Sequence, residues 1–379
     1  MRICVVYDCL YPHTVGGAQR WYRNLAERLA ERGHQVTYLS LRQWPAGEDP
    51  GVPGVDVCAV GPRMELYADG RRRTLPPVVF GAGVLWHLLR RGGRYDVVHT
   101  GSMPYFPLLA ALSLRRARGY RLFVDWIEIW TRDYWREYAG RLLGELGWRI
   151  QRLCARSPHR AFAFARLHAQ RLTELGHAGE VTLLDGLYAN GEPPSGAGER
   201  EPLIVFAGRH IPEKGVPALV PAIALARERL PELRAEIYGD GPDRNEVLTL
   251  LGEHGLNGAV TAPGFVDADV VRDAIGRALC FVLPSRREGY GLVVVEAAAA
   301  GTPTVVVAHP DNAAVELVED GVNGVVAPSS EPATLADAIV RVHESGEGMR
   351  RSTREWFERN GSRLSIDTSV DRVEAAYAE

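Results

Sequence analysis

Lysine is almost absent from this sequence of 379 residues. Of its 44 basic residues, 43 are Arg and one, Lys214, is Lys. A composition that uses Arg wherever either residue will serve leaves Lys where a compact ammonium is needed and a planar guanidinium is not. The alternative is that this one lysine remains by chance and has no special role. Lys214 is therefore a candidate functional residue.

Cysteine and long apolar runs are also scarce. The five cysteines are odd in number and form no C-x-x-C pair, which argues against a disulfide framework or a zinc site and favours reduced thiols in a cytoplasm. No apolar run approaches the roughly 20 residues that span a bilayer. No basic leader precedes the apolar run that begins at Ile3. We therefore expect a cytoplasmic globular protein.

Several catalytic signatures are missing as well. The sequence shows no His/Asp/Glu cluster with metal-ligand spacing, no evident Ser/His/Asp set and no G-x-G-x-x-G dinucleotide fingerprint. A dehydrogenase is thus the least favoured enzyme class. We expect neither a metal nor a cofactor.

The net charge of −3 hides an asymmetry. Residues 1–185 carry 26 Arg against 17 Asp and Glu, whereas the remainder carries 18 basic against 30 acidic residues. Two lobes with complementary faces are the simpler interpretation. The alternative is a basic first lobe that attracts an anionic acceptor or a membrane surface. No nucleic-acid partner is expected, and the oligomeric state stays open.

Apolar strands alternate with helical patterns in both halves of the chain. This alternation predicts an α/β fold of two doubly wound, Rossmann-like lobes facing across a shared cleft. A Gly- and Pro-rich linker at 186–201 separates domains at 1–185 and 202–365. At a finer level we expect a loop at 67–77, a short helix at 80–89 and a helical tail broken near Asn360-Gly361.

The stretch from Leu283 to Ala297 carries the strongest functional signal. A buried strand is followed by Gly289-Tyr290-Gly291 and then by a helix, an arrangement whose free N–H groups suit an anion. Glu288 and Glu296 bracket the loop and can accept hydrogen bonds from hydroxyls. The pattern indicates a ligand that is both phosphorylated and rich in hydroxyls, such as a nucleotide sugar.

Three other strand ends support this interpretation. Arg209 and Lys214 lie in the loop 208–215, where both can reach a phosphate, although a solvated charged loop is the alternative. Gly16 and Gly17 open a helix and can present N–H groups to an oxygen. A further strand-terminal turn could place backbone groups against a nucleobase edge; it comprises Gly264, Phe265 and Val266.

The first half also offers candidates for acceptor binding. Asp125 and Glu128 flank Trp126 near a strand end, and binding of acceptor hydroxyls or a proton weighs about equally with a structural salt bridge. His99 also ends a strand, where a packed side chain is the commoner role. The aromatic segment 127–138 is either core or a sugar-stacking loop.

In this order and spacing, the motifs resemble the family-4 retaining glycosyltransferases of the GT-B fold. The resemblance covers nearly the whole chain and rests on the glycine pair, the G-R-x4-K-G run and the E-x7-E motif of Glu288 and Glu296. It implies that Arg209 and Lys214 neutralise the diphosphate, that Glu288 contacts the donor sugar and that Glu296 holds the ribose. The last helix, at about 366–379, would return to the first lobe. The implied donor site comprises Gly16, Gly17, Gly264, Phe265, Val266, Gly289, Tyr290, Gly291, Leu292 and Glu296.

The resemblance also implies the chemistry. A sugar would pass from a nucleotide diphosphate to a small-molecule, cell-envelope or lipid-linked acceptor, in natural-product biosynthesis as one option. Such enzymes retain anomeric configuration without an evident protein nucleophile. An epimerase or phosphorylase on the same fold, and a nucleotide-sugar-binding protein without activity, are the alternatives.

One position departs from the family pattern. Where the family commonly has a His that contacts the donor sugar near its 6-hydroxyl, this sequence has Ile127, within Asp125-Trp126-Ile127-Glu128. A buried hydroxyl without a partner is costly. We therefore expect a donor that lacks that hydroxyl, a 6-deoxyhexose or a pentose.

Overall fold

The computed structural model of the chain describes residues 1–45, 47–68, 71–189 and 200–379. Most of the predicted linker, residues 190–199, lies outside these ranges. The chain divides into two compact units, called here the first unit (Met1–Leu187 with Ile366–Glu379) and the second unit (Tyr188–Ser365).

The first unit is built on a seven-stranded sheet in the order β3-β2-β1-β6-β7-β8-β9, in which every pair is parallel. Its central strands are buried on both faces, which explains why they are continuous apolar runs. A two-stranded antiparallel hairpin, β4-β5, lies outside the sheet. The strands are β1 (Arg2–Val6), β2 (Gln35–Leu41), β3 (Val55–Gly61), β4 (Tyr67–Ala68), β5 (Arg71–Arg72), β6 (Val97–Gly101), β7 (Arg121–Trp126), β8 (Arg160–Ala163) and β9 (Val181–Leu183).

Helices connect these strands, and one of them corrects the sequence analysis. The predicted loop at 67–77 and helix at 80–89 are wrong in their bounds, because the helix begins at Leu75. Pro76 and Pro77 occupy its first turn, where a missing N–H costs no hydrogen bond. The helices are α1 (Gly17–Glu31), α2 (Leu75–Arg91), α3 (Tyr105–Arg118), α4 (Arg132–Ala139), α5 (Arg141–Arg156) and α6 (Arg166–Glu174).

The second unit has a six-stranded parallel sheet in the order β12-β11-β10-β13-β15-β17. A separate parallel pair, β14-β16, joins two loops that follow β13 and β15. The strands are β10 (Leu203–Ala207), β11 (Arg234–Tyr238), β12 (Val260–Gly264), β13 (Cys280–Leu283), β14 (Arg287–Glu288), β15 (Thr304–Val307), β16 (Asp311–Asn312) and β17 (Gly324–Ala327). The helices are α7 (Val216–Arg229), α8 (Arg244–Glu253), α9 (Ala268–Arg277), α10 (Leu292–Ala299) and α11 (Pro332–Leu364).

The end of the chain also differs from expectation. The break predicted near Asn360-Gly361 is wrong, since α11 continues to Leu364 and its irregularity lies at Gly346, with φ 57° and ψ −146°. A final helix, α12 (Ile366–Ala378), follows Ser365 and belongs to the first unit.

Ion pairs and a buried ring attach α12 to the first unit. Arg32 on α1 pairs with Asp371 over 2.6 Å and with Glu374 over 2.7 Å. Tyr377 is fully buried in the core.

Two parallel sheets flanked by helices confirm the predicted α/β class. None of the helices in the described ranges combines the length and the hydropathy of a membrane-spanning segment.

Candidate functional site

The glycine loop of the second unit opens a helix, as its sequence predicts. β13 ends at Leu283, β14 covers Arg287 and Glu288, and α10 begins at Leu292. Gly291 caps the helix with φ 100°, a left-handed conformation that favours glycine. A Cβ at this position would lie 2.6 Å from the Cβ of Ala314. Glycine is thus required both by the backbone and by its neighbour.

Lys214, the lone lysine, lies beside this loop. It closes the short 3₁₀ turn Pro212–Lys214 after β10, and its Nζ donates to Oε1 of Glu288 over 2.5 Å. The two side chains keep 20% and 10% of their surface exposed. Lys214, predicted to contact the diphosphate, and Glu288, predicted to contact the donor sugar, therefore form one partly buried ion pair.

Backbone contacts bring the two loops together. The N–H of Arg286 donates to the carbonyl of Glu213 over 3.0 Å. Gly215 adopts φ 62°, and a Cβ there would lie 2.9 Å from the carbonyl oxygen of Pro284. Only glycine permits this approach without a shift of the backbone. The proximity of Lys214 and Glu288 is thus fixed by the main chain.

Asp311 and Asn312, which the sequence did not single out, support the residues that precede the glycine loop. Arg287, largely buried, donates to Asp311 over 2.7 Å. The buried Asn312 donates its amide to the carbonyls of Ser285 (3.1 Å) and Val307 (2.8 Å). The only sequence signal was a polar pair shortly after a buried strand. These contacts orient β14 and hence Glu288.

Glu296 lies in the second turn of α10 and is half-buried. Burial raises the pKa of Tyr188, and the negative charge of Glu296 raises it further. The carboxylate of Glu296 is therefore within electrostatic range of that ring, on the helix that the glycine loop opens.

The remaining candidates of the second unit lie at strand ends. Arg209 follows β10 and is exposed, while Phe265 follows β12 and keeps 70% of its surface exposed. Gly264 accepts a backbone hydrogen bond from Gly239 over 2.8 Å, which joins the ends of β11 and β12. Val266 is half-buried. Arg244, which the sequence analysis did not single out, donates to the carbonyl of Ala262 and braces this turn.

The glycine pair of the first unit lies where it was predicted, at the start of α1. Gly16 has an extended backbone and accepts from the N–H of Arg20 over 3.1 Å. Gly17 is exposed, with nothing within 4 Å of the position its Cβ would take. The first turn contains no acidic residue, so it suits an anion or a sugar oxygen.

Asp125 takes part in a buried network in the first unit. Its Oδ2 accepts from Nε1 of Trp21 and its Oδ1 contacts Nε2 of His99, each over 2.7 Å. Nδ1 of His99 lies 2.5 Å from the hydroxyl of Tyr377. Asp125, His99 and Trp126 have no exposed surface. Two roles were left open for Asp125, acceptor binding and a structural contact. The buried network favours the structural role, since an inaccessible side chain cannot touch an acceptor.

The next two residues are accessible. β7 ends at Trp126, and Ile127 and Glu128 are half-buried immediately after it. They remain candidates for contact with the donor sugar or the acceptor.

The aromatic segment packs on itself, and part of it forms α4. The ring of Trp130 lies within 5 Å of three others, those of Tyr134, Trp135 and Tyr138. Oε1 of Gln151 accepts from Nε1 of Trp135 over 3.1 Å. All four rings remain partly exposed, so they form a cluster at the surface and not part of the core; binding of a sugar there stays a prediction. In the described part of the chain, no group of three or more His, Cys, Asp or Glu side chains is arranged to hold a metal ion.

Comparison with known families covers both units. Residues 16–184 match the family model described as glycosyl transferase 4-like domain, and residues 191–362 match glycosyl transferases group 1. Together the matches include the glycine pair, Lys214 and both glutamates of the E-x7-E motif.

Individual relatives agree with these matches. The α-D-kanosaminyltransferase of Streptomyces kanamyceticus is 32% identical over 178 residues, which are 47% of this chain and 46% of the relative. This match therefore spans about half the relative's length. A glycogen synthase of Mycobacterium tuberculosis is 26% identical over an alignment that covers 100% of this chain and 94% of the relative.

A solved structure shows the same fold over the full length. HepE from Anabaena, in complex with UDP, superposes with a TM-score of 0.75 at 19% identity and covers 100% of both chains. The two family matches and the likeness to HepE point to the same family as the E-x7-E motif, whose Glu288 pairs with Lys214. The chain therefore belongs to the group 1 glycosyltransferases of family 4 and has the two-lobed GT-B fold.

Proposed function

We propose that this chain transfers a sugar from a nucleotide diphosphate sugar to a small-molecule or lipid-linked acceptor, with retention of anomeric configuration and without a metal. The observation that carries the proposal is the ion pair of Lys214 and Glu288, which lies beside the glycine loop at the start of α10.

Lys214 and Arg209 would neutralise the leaving diphosphate. As the glycosidic bond breaks, negative charge develops on the phosphate oxygen, and fixed cations stabilise that charge more in the transition state than in the bound donor. Glu288 holds the ammonium of Lys214 in place before the donor arrives. Side-chain cations would thus supply the charge that a metal supplies in other transferases.

The glycine loop and Glu296 would bind the rest of the donor. The N–H groups of Gly289, Tyr290, Gly291 and Leu292, at the start of α10, would bind an anion, which the helix dipole favours there. The carboxylate of Glu296 would accept hydrogen bonds from the two ribose hydroxyls.

Retention follows if the acceptor attacks on the face from which the diphosphate leaves. The acceptor oxygen forms the new bond to the anomeric carbon, the bond to the phosphate oxygen breaks, and the acceptor proton passes to that phosphate oxygen. This scheme needs no carboxylate nucleophile of the glycosidase kind.

Donor choice would depend on Ile127. Its apolar side chain offers no partner to a 6-hydroxyl, which favours a 6-deoxyhexose or a pentose. Partial identity to a kanosaminyltransferase from Streptomyces kanamyceticus supports natural-product biosynthesis as the setting.

A thermal-shift screen of nucleotides and nucleotide sugars tests the donor first. The preferred donor raises the melting temperature by mass action, and no shift with any nucleotide would contradict the proposal. Release of the nucleoside diphosphate with an acceptor panel, in excess EDTA, then separates a transferase from a protein that only binds donors. A glucose or N-acetylglucosamine nucleotide that outperforms every deoxysugar and pentose would refute the role of Ile127.

A further inference from the structure

Most of the exposed large apolar side chains among the described residues lie on three helices of the first unit. Of the sixteen large apolar side chains that are exposed among the described residues, ten lie on three helices of the first unit, five on α2, one on α3 and four on α5. α3 packs against both α2 and α5, so the three helices form one row. We call the exposed apolar residues of this row the apolar face.

Before its last turn, α2 has an apolar outer side as well as a buried side. Leu75, Val78, Leu85, Trp86 and Leu89 repeat at helical spacing along its outer side, and Trp86 and Leu75 keep 57% and 61% of their surface exposed. The opposite side of the helix, which includes Phe80 and Val84, is buried in the core. A helix that is apolar all round normally lies inside a protein or in contact with lipid.

An open apolar groove continues this surface onto α3. It has a volume of about 360 Å³ and lies between Val78 and Leu85 of α2 and Phe106 of α3. On α5, Leu142 and Leu143 are exposed by 86% and 62%, and Leu146 and Leu153 by more than half. Scattered exposed leucines are ordinary, but a clustered set of this kind marks an interaction surface.

Charge identifies the occupant. The three helices carry nine Arg and one acidic residue, Glu145. That carboxylate is paired with Arg132 and Arg136, which hold its pKa down to about 2. Arg side chains can lie along an apolar surface and keep their charge, and the guanidinium of Arg90 stacks on the Trp86 ring at 3.8 Å from its centre.

We propose that the apolar face binds the surface of a bilayer that contains anionic lipids. Hydrocarbon would accept the leucines and Trp86, and headgroup phosphates would pair with the arginines around them. A second copy of this chain fits less well, because a twofold interface would place nine arginines against nine. The proposal does not depend on the transferase reaction.

Vesicle co-sedimentation of the full chain tests the proposal. The probes are vesicles of phosphatidylcholine with phosphatidylglycerol and vesicles of phosphatidylcholine alone, each at low and high salt. We expect binding to the anionic vesicles only, weakened at high salt. Trp86→Glu combined with Leu142→Glu should reduce the partition coefficient by about tenfold or more, because both side chains would carry charge into the interface.

Leu248→Glu is the matched control, since Leu248 is 42% exposed on α8 of the second unit. It should bind vesicles like the unmodified chain. Melting curves are recorded with and without the preferred nucleotide, and under each condition every variant should match the unmodified chain. This keeps a folding defect or loss of donor binding distinct from loss of lipid binding.

Three results would overturn the proposal. The first is no binding to anionic vesicles at low salt, and the second is equal loss in the Leu248→Glu control. The third is a dimer in light scattering that Trp86→Glu dissociates, which would assign the face to a second copy of this chain.

Discussion

The ammonium of Lys214 is held 2.5 Å from the carboxylate of Glu288, although 74 positions separate the two residues in the sequence. The loops after β10 and β13 must meet for this contact. They meet through the close approach of Gly215 to Pro284 and the backbone hydrogen bond from Arg286 to Glu213. A pair fixed in this way needs little rearrangement when a diphosphate adds further negative charge, which is the condition for effective electrostatic stabilisation.

Removing the cation should impair transfer more than donor binding. We expect Lys214→Ala to lower kcat by about 100-fold or more, since the charge it stabilises develops as the bond breaks. Lys214→Arg should recover part of the loss, because it restores charge but not the compact shape. Initial rates of nucleotide release at saturating donor measure the effect. Arg229→Ala, in an exposed ion pair of the same unit, is the control and should stay within about twofold. Near-normal kcat in Lys214→Ala would refute the assigned role.

Glu296→Gln should weaken nucleotide binding. A charged acceptor of two ribose hydroxyls contributes about 1.5–3 kcal/mol per hydrogen bond, so we expect Kd for the cognate nucleoside diphosphate to rise by about tenfold or more. Isothermal titration calorimetry measures it. Glu253→Gln, at the exposed end of α8, should leave Kd unchanged. Equal affinities in the two variants would remove Glu296 from the ribose site.

Gly291→Ala should destabilise the second unit and abolish transfer. A side chain at φ 100° adopts a disfavoured backbone and meets Ala314 at 2.6 Å, so we expect a loss of about 2 kcal/mol in the free energy of unfolding. Denaturant titration provides the measurement. Gly252→Ala is the matched control within α8, where the new methyl meets nothing within 4 Å and should be neutral or slightly stabilising. Similar stabilities for both variants would contradict the steric argument.

The stability of the first unit should depend on the protonation of His159. Burial, followed by the positive charge of His177, lowers the pKa of His159 to about 3. Its Nδ1 contacts the carbonyl of Ser157 and its Nε2 accepts from Trp126, which fixes the neutral ring. Because the unfolded ring has a pKa of about 6.5, the unfolded state binds the extra proton between these values. The contribution of His159 is present above pH 6.5 and is lost as pH falls toward 3.

The measurement compares His159→Gln with the unmodified chain by denaturation from pH 7 to pH 4. Their difference in unfolding free energy should decrease below pH 6.5 by about 1.4 kcal/mol per pH unit. His343→Gln replaces an exposed histidine and should show no such slope. A difference that is constant with pH would show that His159 does not titrate as proposed.

Local sequence patterns predicted the second unit well. The parallel strands are short apolar runs, and the glycine loop is a strand, two glycines and a helix in succession. The scarcity of lysine pointed to Lys214, because one residue type stood out against the whole composition. Its partner could not be predicted, since the contact with Glu288 depends on how closely the backbones approach at Gly215.

The first unit was harder to predict, because its polar residues are paired over long separations. Asp125 resembles a site residue in sequence, yet its contacts reach Trp21 and His99, 104 and 26 positions away. The start of α2 was misplaced because two prolines indicate a loop when the first turn of a helix is overlooked. Asp311 and Asn312 were missed because their role is to contact a loop 24–27 positions earlier, and such contacts produce no recognisable motif in the sequence.

The return of α12 to the first unit has a consequence for the order in which the two units complete their folding during synthesis. His99 acquires its partner Tyr377 only after 278 further positions of chain are made. On the ribosome the second unit, a continuous segment, can be complete while the first still lacks its last helix. A nascent chain should therefore expose the pocket for Tyr377 until α12 has been synthesised, and a protease or chaperone that recognises that open pocket would act on the first unit alone.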